Sequence, residues 1–308
     1  KYMIFSPKKG VKSRRSMYAT GEILEQVKTF DYLGIRLAPF LQWSYQIEKS
    51  SMILMYQTAN ILKVHRTTIS RKVAPALEIY NAKALGAALY GVELWGVGNI
   101  NPLIKGENNF IRTLLMLPKS TPLVPLHLDM VKKPMALNTD SRLLLYWYRL
   151  WVSPVLDSYR LGLKDLIASP NIHKIPWLIR IRTIYINLGL ANLWFSPESL
   201  GSISRAQLKE RYWEFAANSR FANGEGTLTL GFLAFKPLFI YEDCLDEITP
   251  PLARKLFLQF RYKTLSLAAF CCKWSPSNVK ICPMCNTGEE NRAHFLFFCK
   301  SYSKIRHK

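Results

Sequence analysis

The chain has 308 residues, 49% hydrophobic and 13% aromatic, which excludes a disordered tail and allows one large domain or a few small ones. Its 42 Lys+Arg against 21 Asp+Glu leave a net charge of +21, an excess that opposes compaction and points to a polyanionic partner. Nucleic acid is the first candidate and an anionic membrane surface the second. A bilayer span is excluded, because no apolar run reaches roughly 18 residues; the nearest, Ile175 to Phe195, is broken by Arg180 and Arg182.

The chain opens on Lys1 inside a strand-like run and shows no signal peptide, an opening that truncation explains best. After Tyr2 to Phe5 comes a polar turn region, Ser6 to Ser16, with five basic residues and no acid: Lys8, Lys9, Lys12, Arg14 and Arg15. Such a run is a solvated loop on the bland reading; the overall charge favours contact with a phosphate backbone. Glu22 to Leu37 alternates loosely, with Leu33-Gly34 at a tight turn. From Trp43 the period becomes helical, with Ile47, Met52, Leu54, Met55, Ala59 and Leu62 on one face. Further helical stretches cover Val73 to Trp95 and Glu107 to Leu117, the last ended by Pro118. Residues 118 to 140 are Pro-rich and read as an irregular linker. Ser141 reads as the N-cap of Arg142 to Val152. More helices are expected at about 157–168, 177–194, 204–220 and 251–270, with a Gly-rich hairpin between Asn223 and Pro237. The fold class is therefore mainly α with a small β segment at the N-terminus.

Six cysteines are too few for a disulfide scaffold and fit a reducing compartment, nucleus or cytoplasm. Cys282-Pro-Met-Cys285, then His294 and Cys299, set four soft ligands in order within 18 residues. A Cys-x2-Cys turn and a His and Cys on a following helix complete a tetrahedron for Zn²⁺. The metal would then hold the tail folded, contributing on the order of 10–16 kcal/mol of coupled binding and folding. Arg292, Lys300, Lys304 and Arg306 surround these residues and favour nucleic-acid contact. Phe295, Phe297, Phe298 and Tyr302 either stack on bases or pack behind the metal. Tyr146, Trp147, Tyr148, Arg149 and Trp151, at helical spacing, read as core, as do Trp177, Tyr185 and Trp194.

Catalytic residues are not in view. The sequence has no Asp-Asp dipeptide, Gly-x-Ser-x-Gly, Walker loop or His-Glu-x-x-His. His65, His127 and His173 read as isolated surface or capping residues. Glu242, Asp243, Asp246 and Glu247 could hold Mg²⁺, but on so basic a chain they read as local charge balance.

Several landmarks together resemble a known family. Lys1-Tyr-Met-Ile-Phe5 resembles the palm strand that follows the catalytic aspartates in LINE-type (non-LTR) retrotransposon reverse transcriptases. Glu25 to Leu37 (EQVKTFDYLGIRL) is similar to their primer-grip hairpin, with Phe30, Tyr32, Leu33 and Gly34 matching its Phe-x-Tyr-Leu-Gly core. Tyr90 to Gly96 (YGVELWG) resembles the thumb signature, and Leu114 to Pro122 (LLMLPKSTP) the segment after it. The terminal Cys/His tail, with Tyr302 and Arg306, completes the order. Residues 131 to 275 match only in being helical, basic and aromatic. The knuckle departs from the retroviral form, with eight residues rather than four before its His.

The resemblance implies a division into palm end and primer-grip hairpin (1–40), thumb (41–130), helical linker (131–275) and CCHC zinc knuckle (276–308). It implies a parent RNA-directed DNA polymerase whose partners are an RNA template and a DNA primer or target. The catalytic aspartates and their Mg²⁺, and the dNTP substrate, would belong to the complete polymerase, so this part alone is expected to be inactive. A membrane partner is not expected. The rival expectations are a host-adopted or decayed, non-enzymatic zinc-binding protein that still binds nucleic acid, and, more remotely, a basic protein of membrane surfaces.

Overall fold

The computed structural model describes residues 1–5, 17–39, 42–68, 71–169, 174–222, 240–271 and 280–306. The fold is mainly α with a small β segment at the N-terminus. Strands β1 (Tyr18–Ala19) and β2 (Glu22–Ile23) pair antiparallel, as do β3 (Phe30–Tyr32) and β4 (Ile35–Leu37), with Phe30 opposite Leu37 and Tyr32 opposite Ile35. Both turns put residues in the left-handed region, Thr20-Gly21 and Leu33-Gly34, the type I′ pattern of two-residue hairpins.

The helices follow: α1 (Ser44–Thr67), α2 (Val73–Ile79), α3 (Val92–Trp95), α4 (Asn101–Leu114), α5 (Leu123–Asp129) and α6 (Met135–Val152). Then come α7 (Asp157–Ala168), α8 (Pro176–Asn187), α9 (Ala191–Phe195), α10 (Arg205–Ala222), α11 (Cys244–Glu247) and α12 (Pro251–Arg261). The stretch expected as one helix from Val73 to Trp95 is divided. A π-helical segment (Tyr80–Leu85) follows α2, and Gly91, at φ +66°, breaks the chain before α3. The expected linker of 118–140 holds α5 and the first turns of α6. Ser141 is not an N-cap; it is buried inside a helix that starts six residues earlier. The start is early because Pro134 has no N–H that needs an acceptor and the Met135 N–H finds Glu107 Oε2 at 2.8 Å. The hairpin expected at Asn223 to Pro237 lies outside the described residues.

The chain divides into two compact units: Lys1–Ile61 with Glu78–Glu107 and Lys132–Leu238, and Leu62–Leu77 with Asn108–Val131 and Phe239–Lys308. In the first, Leu143, Leu144, Trp147, Leu150 and Trp151 recur every three or four residues and turn one face of α6 into the core. Trp147 is the centre. It stacks on Trp194 at 5.2 Å and meets Trp151 and Trp177 at 5.6 and 5.7 Å. Trp147, Trp151, Trp194 and Tyr185 are buried, as expected, whereas Trp177, Tyr146 and Tyr148 are half-buried against them. Trp177 is anchored by its indole N–H, which donates to the Glu93 carbonyl at 2.7 Å. A second buried group in this unit is polar. Glu107 accepts from Tyr80 Oη, Lys132 Nζ and the Met135 N–H, so each buried charge there has a counterpart.

The second unit is also knit by buried polar groups. Asp129 accepts from Nε and Nη2 on one edge of the Arg261 guanidinium and from Tyr262 Oη. Asp246 caps α2 by accepting from the Val73 and Ala74 N–H groups, and Glu242 pairs with Arg261 at 3.2 Å. Two of the four acids of the cluster, Glu242 and Asp246, are thus engaged by neighbours of the chain itself. His127, expected as a surface or capping residue, is buried in the last turn of α5. His65 is half-buried and its Nε2 lies 3.0 Å from the Arg71 carbonyl, while His173 lies outside the described residues. Among the described residues no helix is long and apolar enough to cross a membrane.

Candidate metal centre

A short turn carries the first two ligands. Ile281 and Glu289 bridge antiparallel, the Cys282 N–H donates to the Gly288 carbonyl, and the Asn286 N–H returns to the Cys282 carbonyl. Asn286 closes the turn in the left-handed region at φ +54°, which Asn tolerates better than most residues. The third ligand begins a helical turn. Asn291 Oδ1 accepts the His294 N–H at 2.9 Å, an N-terminal cap that aims the imidazole inward. His294–Phe298 then wind as a π-helical turn, and the Cys299 N–H reaches back to the His294 carbonyl at 2.7 Å.

The result gathers Cys282, Cys285, His294 and Cys299, whose ligand atoms all lie within 4.8 Å of one another. Cys282 Sγ and Cys299 Sγ are 3.9 Å apart, and Cys285 Sγ and His294 Nε2 are 3.2 Å apart. A tetrahedral ion with bonds of about 2.0–2.3 Å needs ligand atoms roughly 3.3–3.8 Å from each other. The cluster is close enough to bind a metal ion with small adjustments. Thiolates are the form that ligates, and the surroundings prepare one. Thr287, through its hydroxyl on Cys285 Sγ at 3.1 Å and its backbone N–H, lowers the Cys285 thiol to about 6. Burial pushes the Cys282 thiol the other way. Glu290, buried and bonded to the Ala268 N–H, stands 4.0 Å from Cys282 Sγ.

The basic residues around the site divide by what they already touch. Arg306 donates to the carbonyl of Cys299, and Arg292 donates to the Phe260 carbonyl and lies 5.5 Å from the Phe260 ring. Lys300 and Lys304 are exposed. The four aromatics divide too: Phe295 and Tyr302 meet edge to face at 5.2 Å, whereas Phe297 and Phe298 are 67% and 70% exposed. Lys8, Lys9, Lys12, Arg14 and Arg15 lie outside the described residues.

In the first unit, the β3–β4 hairpin leaves Phe30 at its open end and Tyr32 and Leu33 at its tip exposed. Two glycines seat it. A Cβ on Gly34 would come within 3.1 Å of the Tyr90 ring, and one on Gly91 within 2.6 Å of Ile35 Cδ1. The segments 30–37 and 90–96 are therefore packed against each other, with the Trp95 indole bonded to the Tyr90 carbonyl. Lys49 fixes the turn from below, donating to the Gly34 carbonyl and to Asp31, and Gln46 accepts the Arg36 N–H. Sequence reasoning missed Lys49 and Gln46. No local pattern marked them, because the buried face of α1 mixes Gln46, Ser50 and Thr58 with Ile47, Leu54 and Ile61, and Met52 and Met55 of the expected apolar face are exposed.

The chain matches no protein-family model, no curated protein and no solved structure.

Proposed function

We propose that the chain is a nucleic-acid-binding part of a LINE-type reverse transcriptase, gripping an RNA template paired to a DNA primer. The observation that carries the reading is the packing of the Phe-x-Tyr-Leu-Gly hairpin onto the Tyr90-Gly91 turn through two close glycine approaches. The two segments that resemble the primer grip and the thumb signature are distant in sequence, yet each requires the other's glycine. Chance likeness of either motif gives no reason for that contact.

In this reading Phe30, Tyr32, Leu33 and Gly34 present the hairpin to the primer end, and the helices of residues 41–130 hold the duplex by its backbone. That task needs shape and positive charge rather than base readout, and the net charge of +21 supports it. The four-residue Cys/His cluster takes Zn²⁺, the ion that suits three thiolates and an imidazole in a closed tetrahedral site. Lys300 and Lys304 then provide the phosphate contacts of the knuckle, because Arg292 and Arg306 are engaged in holding it together. No phosphoryl transfer is proposed for these residues.

The test is binding of a labelled RNA–DNA hybrid across a salt series. The expected result is tight, sequence-tolerant binding that falls steeply between low and physiological salt, with a log–log slope of roughly 0.7–0.9 per phosphate contacted. A flat salt response, or preference for anionic vesicles that the hybrid does not compete away, would remove the reading.

A further inference from the structure

The face of α6 beside its tryptophan stripe lines a cleft in the first unit. Glu93, Arg142, Tyr146, Tyr148, Arg149 and Arg205 shape it, with a volume of about 410 Å³. Arg142, Tyr146 and Arg149 follow at four- and three-residue steps, so the helix itself aligns them. Arg205 comes from the other wall, as the first residue of α10. A reciprocal cap holds it there: the Ser204 N–H donates to Gln207 Oε1 and the Gln207 N–H to Ser204 Oγ.

The cleft carries positive charge that the described residues leave unanswered. Arg142 uses one guanidinium nitrogen on the Leu89 carbonyl, at 3.0 Å. Among the described residues, Arg149 and Arg205 have no side-chain hydrogen bond or ion pair. Glu93 is the one carboxylate in the lining. The C-terminal end of α6 adds about half a negative charge, and the N-terminal end of α10 about half a positive one. Three full guanidinium charges outweigh these. The tyrosines are held in place: Tyr148 Oη donates to the Ile203 carbonyl at 3.0 Å, and Tyr146 meets Trp177 edge to face at 6.3 Å.

Planar guanidinium donors match phosphate oxygens two at a time, and an aromatic wall beside them gives a base a surface to stack on. The volume lies within the roughly 300–1,000 Å³ of sites that take small ligands. We infer that this cleft seats one nucleotide unit of a nucleic-acid strand, with its phosphate between Arg149 and Arg205 and its base beside Tyr146. The inference deepens the functional reading above and rests on it. It gives the helical stretch 131–275, which the family resemblance left without a role, a place on the path of the strand.

The experiment uses the full chain and a labelled RNA–DNA hybrid with a single-stranded RNA tail, measured by anisotropy over a salt series. Arg149→Ala/Arg205→Ala is expected to weaken binding about tenfold at low salt and to flatten the log–log slope by about 0.7–0.9, the share of one phosphate contact. Arg149→Lys/Arg205→Lys should keep most of the slope and most of the fold, which separates lost charge from lost structure. In parallel, 4-thiouridine in the tail should crosslink to the Tyr146–Tyr148 peptide. Free UMP at equal phosphate concentration should not displace the hybrid; displacement would assign the cleft to free nucleotides and overturn the strand assignment. A wild-type protein that binds steeply, with an unchanged slope in the alanine variant and crosslinks only elsewhere, overturns the inference and leaves the functional reading standing. A wild-type protein that does not bind at all overturns both.

Discussion

Around Trp147, tryptophan, leucine and isoleucine side chains from α6, α8 and α9 fill a buried interior. Around His294 the arrangement is reversed: in residues 280–306 the buried side chains are Cys282, Glu290 and Cys299, and Phe297 and Phe298 face solvent. At about 25 cal/mol per Å² of buried apolar surface, the first region can be stable by packing alone. The second cannot, because its interior consists of ligand atoms and one carboxylate. Two means of reaching order therefore lie in one chain, and they should fail under different conditions.

The largest effect should come from removing a ligand. Cys299→Ser is expected to abolish stoichiometric zinc by mass spectrometry and to forfeit coupled binding and folding on the order of 10 kcal/mol. The near-ultraviolet circular dichroism that the tryptophan core supplies should stay unchanged. If that signal collapses too, the two regions are not separately stabilised. The converse substitution is Trp147→Ala, which opens a cavity beside Trp194 and should cost about 3–5 kcal/mol. Thermal melting should drop sharply while the zinc content holds; joint loss of zinc would contradict the comparison.

Gly91→Ala sharpens a third point, the seating of the hairpin. Its φ of +66° and the 2.6 Å approach to Ile35 both oppose a side chain, and a cost of about 1–3 kcal/mol is expected. Hydrogen exchange at Tyr32 and Ile35 should speed up before any change near Trp147; uniform loss of protection would show that the hairpin is not held there. The smallest effect belongs to Asp31. Its hydrogen bond from Arg36, with Lys49 adding to it, holds the carboxyl below its ordinary value. A lowered carboxylate stabilises fully above its ordinary pKa and loses that contribution as pH falls through the lowered one. For so exposed a pair the contribution is roughly 0.2–1 kcal/mol. A carboxyl titration followed by NMR should find Asp31 below the other exposed acids, and an ordinary value would dissolve the Arg36–Asp31–Lys49 cluster.

What could be read in advance follows from the range of the interactions. The metal ligands are local: Cys-x2-Cys, His294 and Cys299 sit within one short tail, and their spacing alone places them together. The aromatic stripe of α6 is also local, since helical periodicity sorts Trp147 and Trp151 to one face. The start of α6 was misplaced because its cause is distant: Glu107 supplies the acceptor for Met135, and no pattern near Ser141 records it. Reading 118–140 as an irregular linker failed for a related reason. Two of its prolines stand at helix entries, Pro122 and Pro134 just before α5 and α6, where a missing N–H costs nothing. His127 and Asp246 were misjudged or undervalued because burial and capping depend on partners far along the chain. The cleft of Arg142, Arg149 and Arg205 was hidden because the stretch from Tyr146 to Trp151 was read as core as a whole, whereas only Trp147, Leu150 and Trp151 are buried and Arg149 is exposed.

The most direct test of the division between packing and coordination is hydrogen exchange on the intact protein with and without a zinc chelator. The expected result is loss of protection across Cys282 to Cys299, with Leu143 to Trp151 unchanged in rate. Equal loss in both regions, or protection of the tail that survives complete removal of the metal, would contradict it.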